Sequence, residues 1–157
     1  MKVGITGHQQ REGISWPWVK SCIDRYLAGK PQLFGYSSLA EGTDQIFADA
    51  VLSRGGKLMA VIPMDGYSAH FHGEPLRNFA RLKSNAEIVE LRSTKPDNGA
   101  FLEAGKWIVR EVDRIIAVWD GEPAVGMGGT GDIVAYALSL GKPVHHIDPF
   151  KRLTIDL

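Results

Sequence analysis

Short apolar runs that alternate with helix-patterned segments constrain this chain more than any other feature. Lys2-Val3-Gly4-Ile5-Thr6, Gln32-Leu33-Phe34-Gly35-Tyr36, Leu58-Met59-Ala60-Val61-Ile62-Pro63 and Arg114 to Trp119 read as buried strands. Ala86 to Leu91 reads as a weaker strand and Val144 to Ile147 as the last; Lys151 to Leu157 reads as a surface tail or an edge strand. Between them lie helical patterns. One runs from Ser15, a residue type that caps helices, to about Ala28, with Trp18, Val19, Cys22, Ile23 and Tyr26 on one face. Others run from about Thr43 to Ser53, Pro75 to Ser84, Gly99 to Glu111 and Gly131 to about Leu140. In the last, Ile133, Val134, Ala137 and Leu138 form one stripe. Near-continuous apolar strands joined through helices predict an α/β, Rossmann-like three-layer domain: a mostly parallel sheet of about six to seven strands, covered on both faces. Residues 1–157 read as one such domain, which the length allows.

Ligands of such sheets bind outside the carboxyl ends of the strands, at the switch point of the strand order. The loops expected there are rich in Gly, Ser, His and Asp. Gly128-Gly129-Thr130-Gly131-Asp132 follows the fifth strand and Asp120-Gly121-Glu122-Pro123. Glycines there let the backbone approach a ligand, and the helix start presents unpaired N–H groups at a positive dipole end. Gly35-Tyr36-Ser37-Ser38-Leu39-Ala40-Glu41-Gly42-Thr43-Asp44 gathers two hydroxyls and several N–H groups before another helix, a pattern that holds phosphate or ribose. The same pattern lets Thr43 or Asp44 serve only as a cap. Gly7 and His8 close the first strand, where His8 lines a ligand or is a solvated loop residue. The candidate ligand-binding set is therefore Gly7, His8, Gly35, Ser37, Ser38, Leu39, Glu41, Gly42, Asp44, Gly121, Gly128, Gly129, Thr130 and Asp132.

Several alternatives are weaker. Gly126 to Gly131, with Asp148 after the next strand, matches spaced dinucleotide glycines, but that fingerprint belongs directly on a first strand. No P-loop ending occurs. His70, His72, His145 and His146 lack the further clustered ligands that zinc needs, so no metal and no cofactor is expected. Tyr67 and Phe71 make the loop from Met64 to Glu74 either a lid or a surface excursion. Trp16, Trp18, Trp107 and Trp119 read as core or subunit-contact residues, Trp119 also as a ring able to stack on a base. Lys plus Arg equals Asp plus Glu at 18 each, against the basic excess usual in duplex-DNA binders. One cysteine, Cys22, excludes an intrachain disulfide, and no apolar run nears the roughly 20 residues of a membrane span. A cytoplasmic protein is the expectation.

The stretch Gly35 to Asp44, the strand ending Val61-Ile62-Pro63, Ala117-Val118-Trp119-Asp120-Gly121 and Gly128-Gly129-Thr130-Gly131-Asp132 together resemble the SLOG superfamily. That group unites the DNA-processing protein A family with the Lonely guy phosphoribohydrolases. The likeness spans Val3 to about Pro149. It implies a Rossmann-like fold that binds nucleotides or nucleotide-derived ligands such as ADP-ribose or nucleoside phosphates. Some members cleave the N-glycosidic bond of a nucleoside monophosphate, some bind single-stranded DNA, and some resemble sensors of nucleotide signals in bacterial conflict systems. The chain departs from both named groups. Gly126-Met127 precede the glycine–glycine–threonine turn, and a single acid, Asp132, follows where the Lonely guy group has paired glutamates. Arg77 and Arg81 match its catalytic arginine poorly. Glu103-Ala104-Gly105-Lys106 stand where the DNA-processing family has an arginine–asparagine–arginine cluster, so nucleic acid is the less expected partner. A small-molecule nucleotide ligand is the expected one. Catalytic candidates for a glycosidase reading are Glu41, Asp44, Glu103 and Asp132. A homo-oligomer paired through helices is a further expectation.

Overall fold

The structure, a computed structural model, describes residues 1–124 and 129–157. The elements are β1 (Lys2–Gly7), α1 (Trp16–Leu27), β2 (Phe34–Ser37), α2 (Thr43–Ser53), β3 (Lys57–Ile62), a 3-10 turn (Tyr67–His70), α3 (Gly73–Ser84), β4 (Glu87–Glu90), α4 (Asp97–Glu111), β5 (Arg114–Val118), α5 (Thr130–Ser139), β6 (Val144–Asp148) and β7 (Leu153–Asp156). One seven-stranded sheet runs in the order β4-β3-β2-β1-β5-β6-β7. Every pairing is parallel except β6 with β7. The α/β Rossmann-like expectation therefore holds, with β7 as the edge strand.

The strands are apolar along their length because both sheet faces are covered. Ile115, Ile116, Ala117 and Val118 of β5 are all fully buried, although successive side chains point to opposite faces. On one face, Val3, Ile5, Ile116, Val118 and Ile147 pack against Val19, Ile23 and Leu27 of α1 and Phe47 and Val51 of α2. On the other, Ile115, Ala117 and Val144 meet Ile108 and Val109 of α4 and Ile133, Val134 and Ala137 of α5. A third cluster joins Leu58, Ala60 and Ile62 of β3 to Phe79 and Leu82 of α3, with Tyr67 and Phe71 from the loop before it.

Three local expectations change. Ser15 occupies the N-cap of α1, but its hydroxyl makes no capping bond; Pro17, which needs no N–H partner in a first turn, starts that helix. Leu138 is exposed, because α5 buries only the Ile133, Val134 and Ala137 side of its stripe. The loop around Tyr67 is no loose excursion: the Tyr67 and Phe71 rings are buried and meet edge to face, 5.1 Å apart.

Candidate functional site

β1 and β5 are neighbours at the centre of the sheet. The sequence-consecutive strands leave them in opposite directions, β2 and β3 to one side and β6 to the other. Helices after β1 and after β5 cover opposite faces, so the loops beyond Gly7 and Val118 splay apart and open a crevice. A cavity of about 620 Å³ lies there. It falls within the range that holds a ligand of nucleotide size.

The floor is built by the last ladder bonds. His8 N–H donates to the Val118 carbonyl at 3.0 Å, and the Trp119 N–H to Ile147 at 3.0 Å. At Gly7 the sheet meets the start of α2 so closely that an added Cβ would lie 2.5 Å from Thr43 Cγ2. That contact lets Thr43 Oγ1 donate to the His8 carbonyl at 2.8 Å, which fixes α2 against β1.

His8 has a defined protonation state. The Asp120 N–H donates to its Nε2 at 3.2 Å, and Arg11 Nη1 lies 2.9 Å from the same nitrogen. Two donors on Nε2 place the ring proton on Nδ1. Burial first, and Arg11 second, hold the His8 pKa below its usual value, outweighing the pull of Asp120 and Asp148. The 3.7 Å approach of Nε2 to Asp120 is therefore no ion pair; Asp120 pairs instead with Arg11 at 2.8 Å. No protein group among the described residues accepts from His8 Nδ1, which leaves a neutral donor on the cavity wall.

The loop after β2 is held from within. Leu39 N–H donates to Ser37 Oγ at 2.9 Å, and Ala40 N–H to the Asp44 carboxylate at 3.2 Å. The Ser37 hydroxyl and Ser38 N–H also bond Asp44. Burial nevertheless dominates and pushes the Asp44 pKa up to about 7. Gln45 Nε2 braces the same loop through Leu39 and Pro75 carbonyls, and the Tyr67 hydroxyl donates to the Ser38 carbonyl at 2.9 Å. The loop's donors thus serve its own shape. What it offers the cavity is the outer surface of Ser38, Ala40 and Glu41.

The opposite wall is the start of α5. Gly129 is its N-cap, with no side-chain capping bond, and Gly129, Thr130 and Gly131 all line the cavity. A Cβ on Gly129 would lie 2.9 Å from Ala124 Cβ, and one on Gly131 2.7 Å from the Ala124 nitrogen. Glycine is needed here so that the turn can fold back on residues 122–124. Trp119 Nε1 donates to the Glu122 carbonyl at 2.7 Å and holds the first half of that connection. An apolar wall of Tyr67, Phe71, Phe101, Ile108 and Ile133 completes the enclosure. His70 packs on Phe101 at 5.5 Å and approaches Asp97 at 3.7 Å, tying the 3-10 turn to α4.

Of the residues expected from the sequence, Gly7, His8, Ser38, Glu41, Asp44, Gly129 and Thr130 line this one cavity. The others are placed differently. Gly35 faces α2, where a Cβ would lie 2.5 Å from Val51. Ser37 and Leu39 are buried inside the loop, and Leu39 and Gly42 shape its path with positive φ of 60° and 85°. Gly121 turns the chain at φ 85°. Asp132 sits in the first turn of α5, outside the lining. Glu103 accepts from Ser93 Oγ at 3.0 Å and lies 3.4 Å from Lys95 Nζ, which turns it away from the cavity. Gly128 lies outside the described residues. Asp148, the acid of the dinucleotide-like match, accepts from the Phe150 and Lys151 N–H groups of the turn before β7. Arg11, Phe101 and Gly105 reach the site without a sequence signal of their own. Among the described residues no group of His, Cys, Asp and Glu converges as a metal site, and no helix is long and apolar enough to cross a membrane.

Neither a protein-family model nor a curated protein sequence matches the chain. Solved structures do match its fold. DNA processing protein A from Streptococcus pneumoniae superposes with a TM-score of 0.67 at 20% identity, over 94% of this chain and 50% of that one. DNA processing protein A from Helicobacter pylori, described for its single-stranded DNA binding mode, gives 0.68 at 20% identity, over 94% and 65%. The molybdenum cofactor binding protein of Rippkaea orientalis gives 0.57 at 16% identity, over 91% and 73%. The chain spans half of the first of these proteins and just under two thirds of the second. These structures share the Rossmann-like fold of this chain.

Proposed function

We propose that the chain binds a nucleotide or a nucleotide-derived small molecule in the crossover cavity. One observation carries this reading: the start of α5, the loop after β1 and the loop after β2 converge on a single cavity of about 620 Å³ with an aromatic wall. The N–H groups of the first turn of α5 suit a phosphate or another anion. Phe101 and Tyr67 suit a base or another flat ring. His8 Nδ1 and Arg11 suit acceptors on a sugar or phosphate, and Glu41 suits a hydroxyl donor.

Thermal denaturation with a panel of nucleosides, nucleoside mono-, di- and triphosphates and ADP-ribose tests the reading. A true ligand at a hundredfold excess over its dissociation constant adds roughly 2.7 kcal/mol of stability. No stabilisation by any member of the panel refutes it. The same samples, analysed for released base, test turnover at the N-glycosidic bond; of the candidate acids Glu41, Asp44, Glu103 and Asp132, Glu41 and Asp44 line the wall and would serve such chemistry.

A second reading, single-stranded nucleic acid, comes from the Helicobacter pylori neighbour. Arg11 supports it with a cation in the cavity wall, yet it is already paired with Asp120, and Glu41 and Glu122 line the same cavity. An oligonucleotide in the panel decides it: binding that falls steeply with added salt selects this reading over the small-molecule one.

A further inference from the structure

We infer that the outer edge of β7 is an interface on which a second copy of this chain pairs strand to strand about a two-fold axis. β7 is the last strand of the sheet, and all of its residues are exposed. Val144 and Leu157 exchange both N–H···O bonds, so the alternation of an antiparallel ladder turns Leu157, Ile155 and Leu153 toward β6. Thr154 and Asp156 then present their N–H and C=O groups outward, with no partner among the described residues. Such a row is a template for another strand. The opposite edge is blunted by a carboxylate at each end of β4, Glu87 and Glu90. β7 carries a single one, Asp156, and no proline.

The side chains add an apolar face to this edge. Leu153, Ile155 and Leu157 project to the α5 side of the sheet and are 37%, 47% and 46% exposed. Leu138 and Leu140 at the end of α5 are exposed as well.

Charge complementarity selects the occupant. The segment is basic at its start, Lys151 and Arg152, and acidic at its end, Asp156. An axis through Thr154 sets Thr154 against its own copy in a hydrogen-bonded pair. Leu153 then faces Ile155 of the second copy, and Arg152 comes beside Asp156 of the second copy. Both charge pairs form at once because the interface is isologous. A parallel approach stacks like charges instead. The two seven-stranded sheets thereby join into one continuous sheet. The proposal stands apart from the cavity, which lies at β1 and β5.

Sedimentation velocity from low to high micromolar concentration tests it. The expected result is reversible association to twice the 17.2 kDa mass of the chain. Ile155→Lys should weaken it at least tenfold with an unchanged circular dichroism spectrum. Arg152→Asp and Asp156→Arg should each weaken it, and the double charge exchange should restore it, which a purely intrachain role for Asp156 with His145 does not predict. Thr154→Cys should form a covalent dimer on oxidation, because the one native thiol, Cys22, is buried. A chain that stays monomeric throughout, association unmoved by Ile155→Lys, or a charge exchange that fails to restore pairing overturns the proposal.

Discussion

Replacing Asp44 by Asn should flatten the pH dependence of stability. Asp44 is 9% exposed, and burial raises its pKa from 3.8 to about 7 even though three groups donate to it. The folded state therefore holds this proton more tightly than the unfolded chain. Stability from this group is complete below pH 3.8 and is lost as the pH rises through about 7. Three units at about 1.4 kcal/mol each set the swing at about 4 kcal/mol at most. Asn keeps an oxygen for the Ala40 N–H but brings an amide toward the Ser38 N–H, which costs about 1–3 kcal/mol at any pH. Urea unfolding of both proteins at a series of pH values measures the difference. At pH 5 the variant should be the less stable; by pH 8 the gap should close or invert. His8, whose lowered pKa pulls stability the other way below its unfolded value, is common to both proteins and cancels. A difference that is constant across the series counts against a raised Asp44 pKa, since it means that the carboxyl holds its proton no more tightly in the folded chain than in the unfolded one.

Gly7→Ala should destabilise the fold by about 1–3 kcal/mol, because its methyl would lie 2.5 Å from Thr43 and break the junction of β1 with α2; an unchanged urea midpoint counts against this. Arg11→Ala should raise the His8 titration midpoint seen by NMR, since Arg11 lowers that pKa while Asp120 raises it; a downward move contradicts the assigned geometry. Gly129→Val should abolish ligand stabilisation by forcing the turn off Ala124, with α5 itself retained by circular dichroism. Phe101→Ala should cost a ring-bearing ligand about two- to twelvefold in affinity while sparing inorganic phosphate, as a loss of about 0.5–1.5 kcal/mol of ring contact requires.

The sheet was legible because two-sided burial leaves an unbroken apolar run, as in Ile115 to Val118. β7 was only half legible: a strand exposed on both faces keeps no such run, and Lys151 to Leu157 also reads as a tail. The cavity wall was legible where glycine and hydroxyl residues gather at the ends of central strands. The reading failed where one residue type serves two physical needs. A glycine that admits a ligand and one that admits a helix look alike in sequence; Gly35 proved to be the second kind, pressed against Val51. Ser37 and Asp44 carried the polarity expected of a phosphate loop, but they spend it on the loop's own N–H groups. Arg11, a lone cation in a loop, and Phe101, an apolar residue on an amphipathic helix, have no local pattern that announces the cavity. Only the pairing of β1 with β5 at the switch in strand order brings them there.

Backbone amide NMR during a nucleotide titration reads out where the ligand sits. Binding in the crossover cavity should move the resonances of His8, Ser38 to Glu41, Phe101 and Gly129 to Gly131 together, with one dissociation constant. Shifts confined to the opposite end of the sheet, around Lys30 and Arg114, or no shifts at saturating nucleotide, contradict it.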